Sequence, residues 1–277
     1  MRHLGLFSAT ALVAPAALVV LAAGAAVGAT AVDYTEVPLT QAELDANWGT
    51  DRAAPSGGHS SVDFEGRSDV LEVRIDPDAR STAGSFYYTE GLKRDVPDVD
   101  AARIDLYVDP AWLGTGTATA PNVRAGFWGV GEDTGSVPTS YPIAEFTTAG
   151  DAGYVGWRVW DSNAGWVNHP EIPVEAGWTT LELVLDEGAD EFDVSIGGHD
   201  ATSPALGATS LGSVIVNSYN YGPGSQPYQV HWSDFAYGAL VELTSTEQCK
   251  DGGWADFGFS NQGRCVASLT ADDSSGH

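Results

Sequence analysis

Three short runs of the sequence, 123–130, 153–161 and 214–221, alternate apolar residues with aromatic, charged or amide residues. In an extended strand, successive side chains point to opposite faces, so each run has one face suited to a core and one suited to solvent or a ligand. The residues on the second face are Arg124, Trp128, Arg158, Trp160, Asn217 and Tyr219.

These six side chains would meet on one surface if the three runs share a sheet, with Glu145 as a possible charge partner. Aromatic planes stack on the apolar faces of sugar rings, while arginine, asparagine and carboxylate groups bond the hydroxyls. The pattern therefore predicts a saccharide-binding site built from these seven residues. The alternative is that loops or a neighbouring sheet bury the tryptophans as a second small core.

The sequence gives little support for a catalytic site with a serine nucleophile, a metal ion or a lyase mechanism. The chain has no Gly-x-Ser-x-Gly nucleophile turn, and its histidines are scattered rather than paired at metal-ligand spacing. A polysaccharide lyase would need arginines to neutralise uronate carboxylates, together with a tyrosine or histidine base. Arg124, Arg158 and Tyr154 could supply part of that set, but twelve basic residues in the whole chain disfavour a strongly cationic cleft.

Two acidic turns raise the possibility of calcium. Residues 186–191 read DEGADE and residues 76–78 read DPD, so each turn clusters carboxylate oxygens. Neither turn has the spacing of an EF-hand loop, and a solvated acidic turn explains both. We therefore expect no cofactor and no metal site, with calcium at one of these turns as the alternative.

Short alternating runs dominate the chain, for example 71–75, 104–108, 181–185 and 192–196, and clusters of Gly, Pro, Asp and Ser separate them. Residues 40–48 form the one plausible short helix. Each run has one apolar and one wetter face, as in an antiparallel sheet that packs on a second sheet. The prediction is an all-β, two-sheet antiparallel sandwich over residues 32–242.

The first 31 residues have the three parts of an export signal: basic Arg2, an apolar run over 11–26, and a small-x-small cleavage site at 29–31. We predict a signal peptide over 1–31 and a secreted, extracellular protein. The formal charge is −26, and loss of Arg2 makes it −27. Such a surface repels polyanions, which argues against nucleic acid and anionic membranes as partners.

Cys249 and Cys265 are the two cysteines of the chain. An exported protein meets an oxidising environment, so the pair predicts a disulfide rather than a metal site. Glycines and aromatic residues fill the stretch between them, which predicts a small disulfide-closed hairpin or loop within residues 243–270. A disordered tail is predicted over 271–277.

The succession SFYYTEGL, RIDLYVDPAW, VRAGFWGVG, YPIAEF, GYVGWRVWDSNAGWV, GWTTLELVL and YQVHWSDFAYG resembles the concanavalin A-like, laminin-G-like jelly-roll superfamily, and within it a branch of secreted bacterial domains. The resemblance covers nearly all of residues 34–240. The C-terminal pattern C-K-x-G-G-W, F-G-F and N-Q-G-x-C-V resembles a short tail on exported proteins of high-GC Gram-positive bacteria.

The resemblance implies one concave and one convex sheet, with sugar or calcium sites commonly on the concave face or its rim. Glucanases of this superfamily carry Glu-x-Asp-x-x-Glu on one strand. The nearest match is Glu191, Asp193 and then Ile196, so the proton-donating carboxylate is missing. The sequence hypothesis is therefore a secreted, non-catalytic, lectin-like protein with a polysaccharide or glycan as partner. Its alternatives are an atypical glycoside hydrolase or polysaccharide lyase, and a structural or adhesive module.

Overall fold

The computed structural model describes residues 29–113, 121–148 and 153–271. The described chain forms two compact units: Ala31–Val241, and residues 29–30 together with 242–271. Most of the predicted signal peptide, residues 1–28, lies outside the described residues, as do residues 272–277 of the predicted tail. Among the described residues, no helix is long and apolar enough to cross a membrane.

The larger unit is built from two sheets of eight strands each, in which the named strands pair in antiparallel fashion. We number the strands along the chain. The first sheet contains β1 (Thr30–Val37), β3 (His59–Phe64), β4 (Arg67–Ile75), β6 (Ala101–Val108), β12 (Gly177–Asp186), β13 (Glu191–Ile196), β14 (His199–Pro204) and β16 (Tyr228–Glu242). Its order is β14-β13-β12-β6-β16-β4-β3, and β1 pairs with β16.

The second sheet contains β2 (Trp48–Arg52), β5 (Thr89–Val99), β7 (Arg124–Glu132), β8 (Pro138–Ser140), β9 (Ile143–Thr147), β10 (Gly156–Asp161), β11 (Gly165–Asn168) and β15 (Ser210–Tyr219). Its order is β11-β10-β9-β7-β15-β5-β2, with β8 on β7. Several neighbours in both sheets, such as β6 with β16 and β7 with β15, are distant in sequence, as in a jelly roll. The predicted all-β sandwich is confirmed.

The core lies between the two sheets and follows the alternation of the sequence. Leu181, Leu183 and Leu185 of β12 are buried, and so are Phe192 and Val194 of β13. The largest fully buried side chains come from both sheets: Trp157, Phe127 and Phe146 from the second, and Trp232, Phe192 and Phe235 from the first. Burial of this apolar surface provides the main free energy that holds the sheets face to face.

The predicted short helix is present as α1 (Gln41–Asn47). The Thr40 hydroxyl accepts a hydrogen bond from the Glu43 backbone N–H at 3.2 Å, which caps the first turn. Leu44 is fully buried, so one apolar side chain anchors the helix to the sandwich.

The smaller unit is organised by the predicted disulfide, since Cys249 and Cys265 are bonded and fully buried. A 3-10 helix, Thr246–Cys249, carries the first cysteine, and helix α2 (Gln262–Ala271) carries the second. The predicted disulfide-closed appendage is confirmed, and of the two forms expected for it, hairpin or loop, the structure has a loop between two helical segments. The Asn261 side chain accepts a hydrogen bond from the Arg264 N–H at 3.0 Å, and this cap starts a helix that the preceding glycine-rich sequence obscures.

Candidate functional site

The outer face of the second sheet places the predicted site residues in register across five strands. Trp160 on β10 lies opposite Trp166 on β11 and Ile143 on β9, and Ile143 lies opposite Trp128 on β7. Two residues further along the strands, a second row of paired residues crosses the sheet. It consists of Arg158, Glu145, Gly126 and Asn217. The three runs thus share a sheet, as the convergence of these side chains requires.

These rows form a groove of about 280 Å³, which we call the aromatic groove. Its lining residues are Thr89, Arg124, Trp128, Tyr141, Ile143, Glu145, Trp160, Trp166, Asn217 and Tyr219. Six of the seven residues predicted from the sequence are in this set, and the seventh, Arg158, bonds Glu145. The groove combines aromatic planes with a few polar groups, which is the usual composition of a small-molecule or saccharide site.

Glu145 and Arg158 form a buried ion pair beside the groove. Glu145 is 2% and Arg158 3% exposed, and both the Nε and Nη2 atoms of Arg158 donate to Glu145 Oε1, at 2.8 and 2.5 Å. Direct pairing of β9 with β10 places the two residues opposite each other. Charge-assisted hydrogen bonds of this kind fix the orientation of the Glu145 carboxylate beside the groove.

Trp160 and Trp166 form one wall of the aromatic groove, with ring centroids 5.3 Å apart in an edge-on arrangement. The Arg158 guanidinium lies 3.9 Å from the centre of the Trp166 ring. Trp128, Trp160 and Trp166 are all partly exposed, whereas Trp157 on the opposite face of β10 is buried. The alternative that the groove tryptophans form a second closed core is therefore wrong.

The other end of the groove carries Arg124 and Tyr219. The Arg124 guanidinium lies 4.8 Å from the Tyr219 ring and 5.8 Å from the Tyr221 ring, and the two tyrosine rings are 4.6 Å apart. Cation–π contacts hold these side chains in fixed orientations. This end therefore offers a cationic group and a phenol close together.

The carboxylates of the glucanase-like pattern lie elsewhere. Glu191 and Asp193 are on β13, in the first sheet. Phe192 and Val194 of the same strand alternate with them and are buried in the core. Partial burial, together with the nearby charge of Glu191, raises the pKa of Asp193 above its ordinary range. These two carboxylates are thus in the opposite sheet from the aromatic groove.

The acidic turns use several of their carboxylates for backbone hydrogen bonds. Asp186 accepts from the Ala189 N–H at 3.0 Å, Asp190 from the Gly207 N–H at 2.7 Å, and Asp76 from the Asp78 N–H at 3.0 Å. Within the described ranges, no three His, Cys, Asp or Glu side chains group together so that they could hold a metal ion. These turns have a clear structural role as caps.

Four lining residues were not predicted from the sequence: Thr89, Tyr141, Ile143 and Trp166. The position of Trp166 in the site could have been predicted from a turn in the sequence. The Asp161 carboxylate caps a tight turn by accepting from the Asn163 and Ala164 N–H groups at 2.6 and 2.8 Å, which pairs β10 with β11 and places Trp166 opposite Trp160. A hairpin at this turn predicts that neighbour. The other three depend on how distant strands pair.

No family model and no curated protein matches the sequence. Solved structures match the fold at low identity. A GlcNAcα1-4Gal-releasing endo-β-galactosidase from Clostridium perfringens is 10% identical, with a TM-score of 0.50 over 76% of this chain and 62% of that one. A Bacillus licheniformis β-glucanase is 11% identical (TM-score 0.46; 75% of this chain, 98% of that one), and a sialidase is 11% identical (TM-score 0.43; 79% and 19%). This chain thus spans less than two thirds of both the endo-β-galactosidase and the sialidase.

The likeness supports the two-sheet jelly-roll fold. The hypothesis of a non-catalytic, lectin-like protein is contradicted, because the endo-β-galactosidase that shares this fold is a glycosidase. The sequence argument against glycoside hydrolysis depended on one motif within a single strand. In the folded chain, the carboxylate available to a ligand in the groove is Glu145, on a different strand and in the other sheet.

Proposed function

We propose that this chain is an exported carbohydrate-active enzyme, an atypical glycoside hydrolase that cleaves a neutral polysaccharide bound in the aromatic groove. The observation that carries the proposal is the buried Glu145–Arg158 pair beside three partly exposed tryptophans. A buried carboxylate held by a specific partner at the edge of a ligand-sized groove is typical of functional sites.

The charge of the chain favours a neutral substrate. The formal net charge is −26, so a polyanionic chain would be repelled at long range. Tryptophan planes instead suit the apolar faces of uncharged sugar rings. The endo-β-galactosidase and β-glucanase with this fold are named for glycan substrates, which agrees with this choice.

Hydrolysis needs one group that accepts a proton from water and one that donates a proton to the departing sugar oxygen. Glu145 is the one carboxylate among the described residues that line the groove, and the Nε atom of Arg158 donates to it at 2.8 Å. The phenols of Tyr141 and Tyr219 are the proton donors in the same lining. We assign Glu145 as the base and a groove phenol as the acid.

A lyase is a second candidate, favoured by one observation. Arg124, Asn217 and Tyr219 lie at the same end of the groove, and Arg124 stacks on Tyr219. An arginine and an amide could neutralise a uronate carboxylate while the phenol moves a proton, as β-elimination requires. This reaction leaves an unsaturated sugar, which absorbs ultraviolet light, whereas hydrolysis does not.

The test incubates purified protein with soluble β-glucans, galactans, xylans, mannans and polyuronates, and measures both reducing ends and ultraviolet absorbance. We expect reducing ends from a neutral polymer without absorbance, and a loss of at least about 100-fold in kcat for Glu145→Gln. Glu191→Gln removes a carboxylate in the other sheet and serves as the matched control, with unchanged activity. Binding without cleavage, or equal activity of both variants, would contradict the proposal.

A further inference from the structure

Two buried polar atoms on the floor of the aromatic groove have no hydrogen-bond partner among the described residues. They are the Oδ1 atom of Asn217 and the Nε1 atom of Trp128. Asn217 is 3% exposed and lines the groove. A buried donor or acceptor without a partner lowers the stability of the free protein, and such groups in native structures usually have a ligand or another explanation.

The two atoms are close together because Gly126 leaves space for both. β7 and β15 place Asn217 directly opposite Gly126, and Trp128 follows Gly126 by two residues on the same face. A β-carbon at position 126 would lie 2.4 Å from Asn217 Oδ1 and 2.9 Å from Trp128 Nε1. Both side chains therefore lean over the bare backbone of Gly126, and neither has formed a bond with the other.

The indole of Trp128 is also held in place from another side. The Arg52 guanidinium lies 4.1 Å from the centre of the Trp128 ring, and the Nε atom of Arg52 donates to Asp51 at 2.7 Å. The indole nitrogens of Trp48, Trp178 and Trp232 also have no hydrogen-bond partner within the described ranges, but Trp128 is the member of this set that lines the groove.

We infer that Asn217 and Trp128 form a hydroxyl-binding subsite, in which one hydroxyl of a neutral sugar donates to Asn217 Oδ1 and accepts from Trp128 Nε1. The inference rests on the proposed function, because it places a glycan in this groove. A hydroxyl both donates and accepts, so it satisfies both atoms at once. A carboxylate would face the Asn217 carbonyl oxygen, and an ammonium group would face the indole N–H.

The subsite gives specificity for hydroxylated rings beyond stacking. A site whose buried polar groups need a hydroxyl discriminates strongly against an analogue that lacks it, because the groups then stay unpaired. Methyl β-D-glucopyranoside and methyl β-D-galactopyranoside are the probes, and tetrahydropyran is the same ring without hydroxyls. The indole N–H resonance of Trp128, assigned by its loss in Trp128→Phe, reports on the subsite directly.

We expect a glycoside to shift the Trp128 indole resonance, tetrahydropyran to leave it in place, and Asn217→Leu to abolish the shift. For the polysaccharide that the enzyme cleaves, KM should rise about tenfold in Asn217→Leu and in Trp128→Phe. In the double variant, the increase in binding free energy should not exceed the sum of the two single effects. Neither change should lower the thermal midpoint, because each removes an unpaired buried polar atom. Trp178→Phe removes a comparable indole nitrogen from the other sheet and is the matched control.

The outcomes separate this inference from the proposed function. A shifted Trp128 resonance in a protein that cleaves no polysaccharide would refute the enzyme and support the subsite. Cleavage with unchanged KM in both variants, or a resonance that does not move with either glycoside, would overturn the subsite. A fall in thermal midpoint for Asn217→Leu would show that the amide serves the fold and would also overturn it.

Discussion

Replacement of Arg158 by methionine should destabilise the sandwich strongly, because it removes a buried cation that donates two hydrogen bonds to buried Glu145. Glu145 is 2% exposed and receives two hydrogen bonds from Arg158. Breaking a buried pair of this kind costs about 3–5 kcal/mol. For a unit of about 200 residues, each kcal/mol lowers the thermal midpoint by about 2–4 °C, so we expect a fall of about 6–20 °C.

The assay is thermal unfolding of wild type, Arg158→Met and the double variant Arg158→Met/Glu145→Gln. The double variant should recover most of the loss, since it buries neither charge of the pair. Arg103→Met is the control, because its pair with Glu36 has side chains 36% and 58% exposed and contributes little. Equal losses in Arg158→Met and Arg103→Met would refute the reasoning.

Two further predictions concern stability. Burial lowers the pKa of His231 below 6.5, although its hydrogen bond to Glu72 acts in the opposite direction. As the pH falls, the imidazole is therefore protonated in the unfolded chain before it is protonated in the folded chain. The free energy of unfolding should fall as the pH drops below about 6.5. Urea unfolding from pH 8 to 5 should show a shallower decline for His231→Gln, and identical slopes would contradict this. Paired Cys249→Ser and Cys265→Ser changes should cost the smaller unit about 3 kcal/mol. Hydrogen exchange in α2 should then be faster, and unchanged protection there would contradict the disulfide's role.

The alternation of apolar and polar residues predicted the sandwich because the two faces of a strand differ in a way that is visible locally. Leu181 to Leu185 and Phe192 to Ile196 are buried at every second position, as a period of two requires. The same rule assigned Arg124, Trp128 and Asn217 to the outer face. The short helix α1 was also predictable, since its cap and its buried leucine lie within a few residues of each other.

The function was not predictable from the same local rule. The carboxylate pattern of Glu191 and Asp193 lies within one strand and could be compared with a motif, but the groove draws on β7, β9, β10, β11 and β15. Glu145 became a candidate base only through its position opposite Arg158 and beside three tryptophans. Strand pairing at a distance decides such neighbours, and no short stretch of sequence encodes it.

The sequence by itself determined the fold class, the face on which each strand residue lies, and the disulfide, because periodicity and cysteine count are properties of short segments. Only the tertiary structure decided which faces meet. It placed Asn217 and Trp128 next to each other over Gly126 and paired Glu145 with Arg158. It also placed the glucanase-like carboxylates in the other sheet. The physical reason is that side-chain direction follows from the local backbone, whereas the register between distant strands follows from packing of the whole core.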